Sequence, residues 1–85
     1  MTTHFGTLGP DGKVTDGTTV EMGKIPSDDP LAFAFGFQQG LNGAKRPREG
    51  SEDFAELAPA YVEGHKLGWQ VRKGKTPMPA WAKRA

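Results

Sequence analysis

The basic side chains in the second half of this 85-residue chain fall into three groups: Lys45, Arg46 and Arg48; Arg72, Lys73 and Lys75; and Lys83 with Arg84. Lysine and arginine at this density do one kind of chemistry well, the neutralisation of phosphate oxygens along a nucleic acid. They are equally at home as a solvated loop cluster, so spacing alone does not choose. The charge is unevenly spread. Residues 1–37 carry Lys13 and Lys24 against five carboxylates, a net −3. Residues 38–85 carry nine cations against five carboxylates, a net +4. A basic second half favours a polyanionic partner, although a bias of this size is common on soluble surfaces.

Other chemistries find little support. Cysteine is absent, which excludes disulfides and thiolate catalysis and suits a reducing compartment such as the cytoplasm. Ser27 and Ser51 occupy helix starts, and no phosphate-cradling glycine loop or paired-carboxylate arrangement occurs. His4 and His65 sit in separate segments, whereas a metal site needs several convergent ligands. The expectation is a non-enzymatic protein with no metal and no cofactor. The opening Met1-Thr2-Thr3-His4-Phe5-Gly6 lacks the features of an export signal, and no apolar run approaches the roughly 20 residues of a membrane span. With 35% hydrophobic residues in one small domain, the core should be thin and the working surface an exterior face.

The elements that must position these groups can be read in order. Residues 1–26 suggest a β-ribbon, a hairpin or meander, with turns at Gly9-Pro10-Asp11-Gly12 and at Asp16-Gly17 and extended pieces at His4–Leu8, Lys13–Thr15 and Thr18–Met22. Three strands this short are marginal unless they pack on something. Ser27-Asp28-Asp29-Pro30 marks a helix start, with a capping side chain, two carboxylates near the unpaired first-turn amides, and proline in that turn. A first long helix is expected over about 30–42, stopped by Gly43. Phe33, Gly36, Phe37, Gly40 and Leu41 share one face of it, and Leu31 and Phe35 lie nearly opposite, where the ribbon would fold back. Ser51 caps a second start, a short turn from Glu52 to Leu57. Pro59, which lacks a donor, must open a fresh helix running to about residue 73. Leu57, Tyr61, Gly64, Gly68 and Trp69 form its apolar face; Glu63, Lys66, Gln70 and Lys73 face water. From Gly74 to Ala85, two prolines and no period suggest an extended, flexible basic tail unless Trp81 docks.

Gly36-Phe37-Gln38-Gln39-Gly40-Leu41 and Gly64-His65-Lys66-Leu67-Gly68-Trp69 repeat one pattern at an offset of 28: two glycines four apart, then an apolar residue. A glycine inside a helix costs about 1 kcal/mol against alanine, so four at matched positions need a compensating gain. Close backbone approach supplies one, because glycines at i and i+4 leave a flat notch for a facing helix. Gln38, Gln39 and Lys66 exclude the lipid-embedded version of this motif. The expected architecture is therefore mainly α with a small β element: an antiparallel helical hairpin (about 30–42 and 59–73), the N-terminal ribbon and an extended tail (74–85).

The run Gly36-Phe37-x-x-Gly40-Leu41-x-Gly43, the proline-containing connector and Gly68-Trp69 together resemble the ribosome modulation factor family and the small relatives that share its helical-hairpin fold. The resemblance covers residues 33–73. It implies a non-enzymatic regulator of translation that binds the small ribosomal subunit and promotes hibernating ribosome dimers, with ribosomal RNA or a ribosomal protein as partner.

On this reading Lys45, Arg46, Arg48, Arg72, Lys73, Lys75, Lys83 and Arg84 are the candidate nucleic-acid contacts. Gly36, Phe37, Gly40, Leu41, Gly64, Gly68 and Trp69 are the helix-packing residues, and helical spacing aims Phe33, Phe37, Tyr61 and Trp69 inward as core aromatics rather than as stacking platforms. A rival reading from another class is a small protein-binding inhibitor or adaptor, such as phage and mobile elements encode. It would act on a host protein through Leu31, Phe35 or Trp81. A third is a homodimeric structural module.

Overall fold

The computed structural model describes residues 2–8 and 14–84, with side chains for residues 2 and 17–83. Its elements are β1 (Thr2–Leu8), β2 (Val14–Glu21), a 3-10 turn (Met22–Lys24), α1 (Pro30–Leu41), α2 (Glu52–Ala55), α3 (Pro59–Arg72) and β3 (Ala82–Arg84). The expected turn at Gly9-Pro10-Asp11-Gly12 lies outside the described residues.

Side chains placed by the sequence start the helices. Asp29 Oδ1 accepts from Ala32 N at 3.3 Å, Ser27 Oγ accepts from Asp29 N at 3.2 Å, and Pro30 opens α1 with the φ a first turn needs. Ser51 Oγ accepts from Phe54 N at 3.2 Å and starts α2. Pro59 sits in the first turn of α3, so the break it was expected to impose separates α2 from α3. Gly43 (φ 79°) and Gly74 (φ 75°) follow the two long helices in the left-handed conformation glycine accepts without strain.

The glycine pattern does what its spacing requires. A Cβ on Gly36 would overlap the Tyr61 carbonyl oxygen and lie 3.0 Å from His65 N; one on Gly40 would overlap the His65 carbonyl oxygen and lie 2.9 Å from Trp69 N. Reciprocally, Gly64 faces the Phe33 carbonyl and Phe37 N, and Gly68 faces the Phe37 carbonyl and Leu41 N. Each glycine thus meets the carbonyl three residues before its counterpart and the amide one residue after it. That reciprocity defines an approximate two-fold relation between α1 and α3, with Cα–H groups aimed at backbone carbonyls.

The same contacts overturn the expected antiparallel hairpin. Rising residue numbers on α1 meet rising numbers on α3, so the two helices run in the same direction. Their starts adjoin, Ser27, Asp28 and Asp29 lining one cleft with Ala58, Pro59 and Ala60. Their ends adjoin too, Arg72 Nη1 donating to the Leu41 carbonyl at 3.4 Å. The segment between them, with α2 inside it, has ample reach to return along a 12-residue helix, which rises only about 18 Å.

The sheet has three antiparallel strands in the order β1-β2-β3. β1 pairs from Thr2↔Glu21 to Leu8↔Val14, with a register shift between Phe5 and Thr7. There one residue of β1, Gly6, opposes two of β2, Asp16 and Gly17. The turn expected at Asp16-Gly17 is therefore a bulge inside one continuous strand, where the extra residue is absorbed without reversing the chain. The flexible tail is also corrected: β3 pairs with β2 (Thr18↔Arg84, Thr19↔Lys83, Val20↔Ala82), and Glu21 N donates to the Trp81 carbonyl at 2.8 Å. Trp81 docks, edge-on to Phe33 (5.9 Å, 69°) and to Phe37 (5.0 Å, 64°).

The core lies between this sheet and one side of the helix pair. Val20, Ile25, Phe33 and Ala34 form one buried cluster and Phe37, Leu41 and Ala82 another, both packed by Leu67 and Trp81. The ribbon therefore covers the Phe33–Phe37 side of α1, not the Leu31–Phe35 side where it was expected. Leu31 and Phe35 remain exposed, at 61% and 46%.

Candidate nucleic-acid interface

Same-direction packing brings the end of α1, the start of the connector and the end of α3 into one place. There Lys45, Arg46, Lys66, Lys73 and Lys75 line an open groove of about 500 Å³ together with His65, Trp69 and Gln70. Five cations and no carboxylate line it. Lys66, Gln70 and Lys73 project from one face of α3 by their spacing of four and three. The connector is held over α3 by His65, whose buried ring donates from Nε2 to the Ala44 carbonyl at 2.6 Å. A carbonyl oxygen can only accept, so Nε2 carries the hydrogen.

His65 also belongs to a ladder of rings along α3. It lies 6.2 Å from Tyr61 and is stacked on Trp69 at 6.0 Å and 17°. Lys73 Nζ lies 5.4 Å from the centre of the Trp69 ring. Arg46 lies 5.4 Å from the Phe54 ring centre and reaches Glu49 at 3.6 Å, so its guanidinium is held beside the connector. Replacing His65 by leucine removes the connector's tether and leaves the Ala44 carbonyl without that donor. The expected loss is about 2 kcal/mol, read by urea unfolding.

The groove gathers Lys45, Arg46, Lys73 and Lys75 from the expected contacts, and does not gather the rest. Arg48 is exposed on the connector outside the groove. Arg72 turns to the Leu41 carbonyl at the end of α1, its guanidinium packed against Gly43, and caps that helix. Lys83 is exposed on β3, and Arg84 lies in the same strand. Lys66, His65 and Gln70 were missed as site residues, although Lys66 and Lys73, seven apart on the solvent side of α3, were a visible signal. Trp69 was expected as a packing residue and is half-buried with its ring in the groove wall.

The apolar candidates separate as well. Leu31 and Phe35 line a second, shallow groove with Leu57 and Tyr61, rimmed by Asp29 and Glu56, whereas Trp81 is core. Among the described residues no group of three His, Asp or Glu side chains stands close enough to hold a metal ion, and no helix is long and apolar enough to cross a membrane. Compared with family models, characterised proteins and solved structures, the chain matches none.

Proposed function

We propose that this chain is a non-enzymatic binding protein that regulates translation by attaching to ribosomal RNA, cytoplasmic in location, with the groove at the end of α3 as its phosphate-binding surface. The observation that carries the reading is the convergence of five cations, drawn from the connector, α3 and the residues after it, on a groove lined by no carboxylate. The residue pattern in 33–73 that resembles the ribosome modulation factor family points the same way, although the antiparallel hairpin which that resemblance implies is not formed. Lys66, Lys73 and Lys75 act as point charges for phosphates, and Arg46 offers a fork already held in place.

Co-sedimentation of tagged protein with ribosomal fractions at low salt tests this, and absence from every ribosomal fraction rejects it. For about five phosphate contacts, affinity for RNA should fall on the order of a hundredfold between 50 and 200 mM salt. The double substitution Lys66→Glu/Lys73→Glu should weaken RNA binding at least tenfold and flatten that salt slope, since it removes two cations and adds two repulsive charges.

A second reading rests on the exposed pair Leu31 and Phe35. An apolar groove with an acidic rim suits an apolar anchor on a protein partner, as an inhibitor or adaptor would use. Capture of one protein that survives nuclease treatment and high salt would favour it over RNA.

A further inference from the structure

The approximate two-fold relation between α1 and α3 has a consequence for the groove. Advancing the α1 stripe Phe33, Phe37 and Leu41 by 28 residues gives Tyr61, His65 and Trp69. The α1 stripe is sealed under Trp81, Val20 and Ala82. Its counterpart on α3 faces the opposite side of the pair, where no sheet lies and the connector is tethered over His65. Tyr61 and Trp69 are accordingly half-buried rather than sealed. The protein thus presents the half-buried Trp69 ring, beside the buried His65, at a surface lined by cations, while Tyr61 lies in the second groove with Leu31 and Phe35.

We infer that this groove takes an unpaired stretch of nucleic acid: a single strand whose phosphates lie along Lys66, Lys73 and Lys75 and one of whose bases stacks at Trp69. The inference rests on the proposed RNA-binding function and narrows it to single strands. His65 lies nearly parallel to the indole, at 6.0 Å and 17°, so the two rings share the orientation a stacking platform uses. The group now over the ring is the exposed side chain of Lys73. It is flexible, and a base displaces it and frees its ammonium for the adjoining phosphate. An apolar peptide would offer no anionic partner to Lys45, Lys66, Lys73 and Lys75 beside it, and an isolated phosphate would leave the indole unused. A duplex offers phosphates at higher density but keeps its base faces stacked, so charge alone favours duplex and stacking alone favours single strand.

The test uses the full chain with a fluorescein-labelled 12-nucleotide RNA, as single strand and as blunt duplex, at 50 mM salt. Anisotropy should show the single strand bound at least tenfold tighter than the duplex, and saturation with unlabelled strand should quench tryptophan emission. Trp69→Leu should weaken the single strand roughly tenfold while leaving the duplex unchanged, the effect expected for one lost stack. Trp69→Phe, the milder change, should abolish the quenching, because Trp81 lies under Phe33 and Phe37 away from the groove; it decides the matter if Trp69→Leu does not fold. Equal binding of both forms without quenching would overturn the stacking site and leave a groove that reads phosphates only. Binding of neither form would overturn the RNA-binding function and this inference together.

Discussion

Replacing Gly64 by alanine is expected to remove much of the protein's stability, although alanine is the better helix former by about 1 kcal/mol. The added Cβ would fall on the Phe33 carbonyl oxygen, 2.9 Å from the carbonyl carbon and 3.0 Å from Phe37 N. These are backbone atoms of a hydrogen-bonded helix. No side-chain rotation relieves the overlap, so α1 and α3 must move apart and lose packing along their contact. Overpacking typically costs 1–3 kcal/mol and more when the backbone must shift. We expect a net loss of about 3 kcal/mol, a large share of the roughly 5 kcal/mol available to so small a domain. Gly36→Ala, its two-fold counterpart, should cost about as much, while Gly23→Ala, which meets nothing within 4 Å, should change stability by under about 0.5 kcal/mol. Urea unfolding followed by circular dichroism reads all three. A Gly64→Ala variant as stable as the parent would disprove the close approach of the helices.

The second large effect is expected at Trp81. Its ring contacts both Phe33 and Phe37 and packs on both buried clusters, and its carbonyl accepts from Glu21 N where β3 joins β2. Trp81→Ala leaves a cavity between the helix pair and the sheet and loosens the strand that follows. Truncation of a buried tryptophan costs 3–5 kcal/mol, and a half-buried one should fall at the low end, about 3 kcal/mol. For a domain of this size that lowers the melting temperature by about 15 °C. Thermal unfolding monitored at 222 nm checks it, and a shift of under about 3 °C would return residues 74–85 to the status of an unattached tail.

Both effects bear on how far the sequence reveals the fold. The helix starts are legible because caps act locally: Asp29 and Ser51 each satisfy an amide three residues away. The glycine notch is legible because four glycines inside helices are too unfavourable to stand without a packing reason. The direction of the pairing is not, since two glycines four apart read the same from either end. With the direction reversed, Lys45 would lie beside the start of the last helix. Only in the true arrangement does it meet Lys73 and Lys75. That is why the basic groups were visible as residues but the groove was not. Strand β3 escaped notice because its pairing joins residues more than sixty positions apart, which no local pattern records. Asp16-Gly17 misled for the converse reason, having the composition of a turn in a place where the partner strand holds the chain extended.

Same-direction packing has an electrostatic corollary. The peptide dipoles of α1 and α3 add rather than cancel, leaving two partial positive poles beside Asp28 and Asp29 and two partial negative poles beside Lys45, Arg72 and Lys73. Each well-placed charge at such a pole contributes roughly 0.3–1 kcal/mol. The carboxylates at one end and the cations at the other therefore hold together two parallel dipoles that would otherwise repel. On the proposed function the cations at the groove end serve two purposes, and a bound polyanion would compete with the helix poles for them.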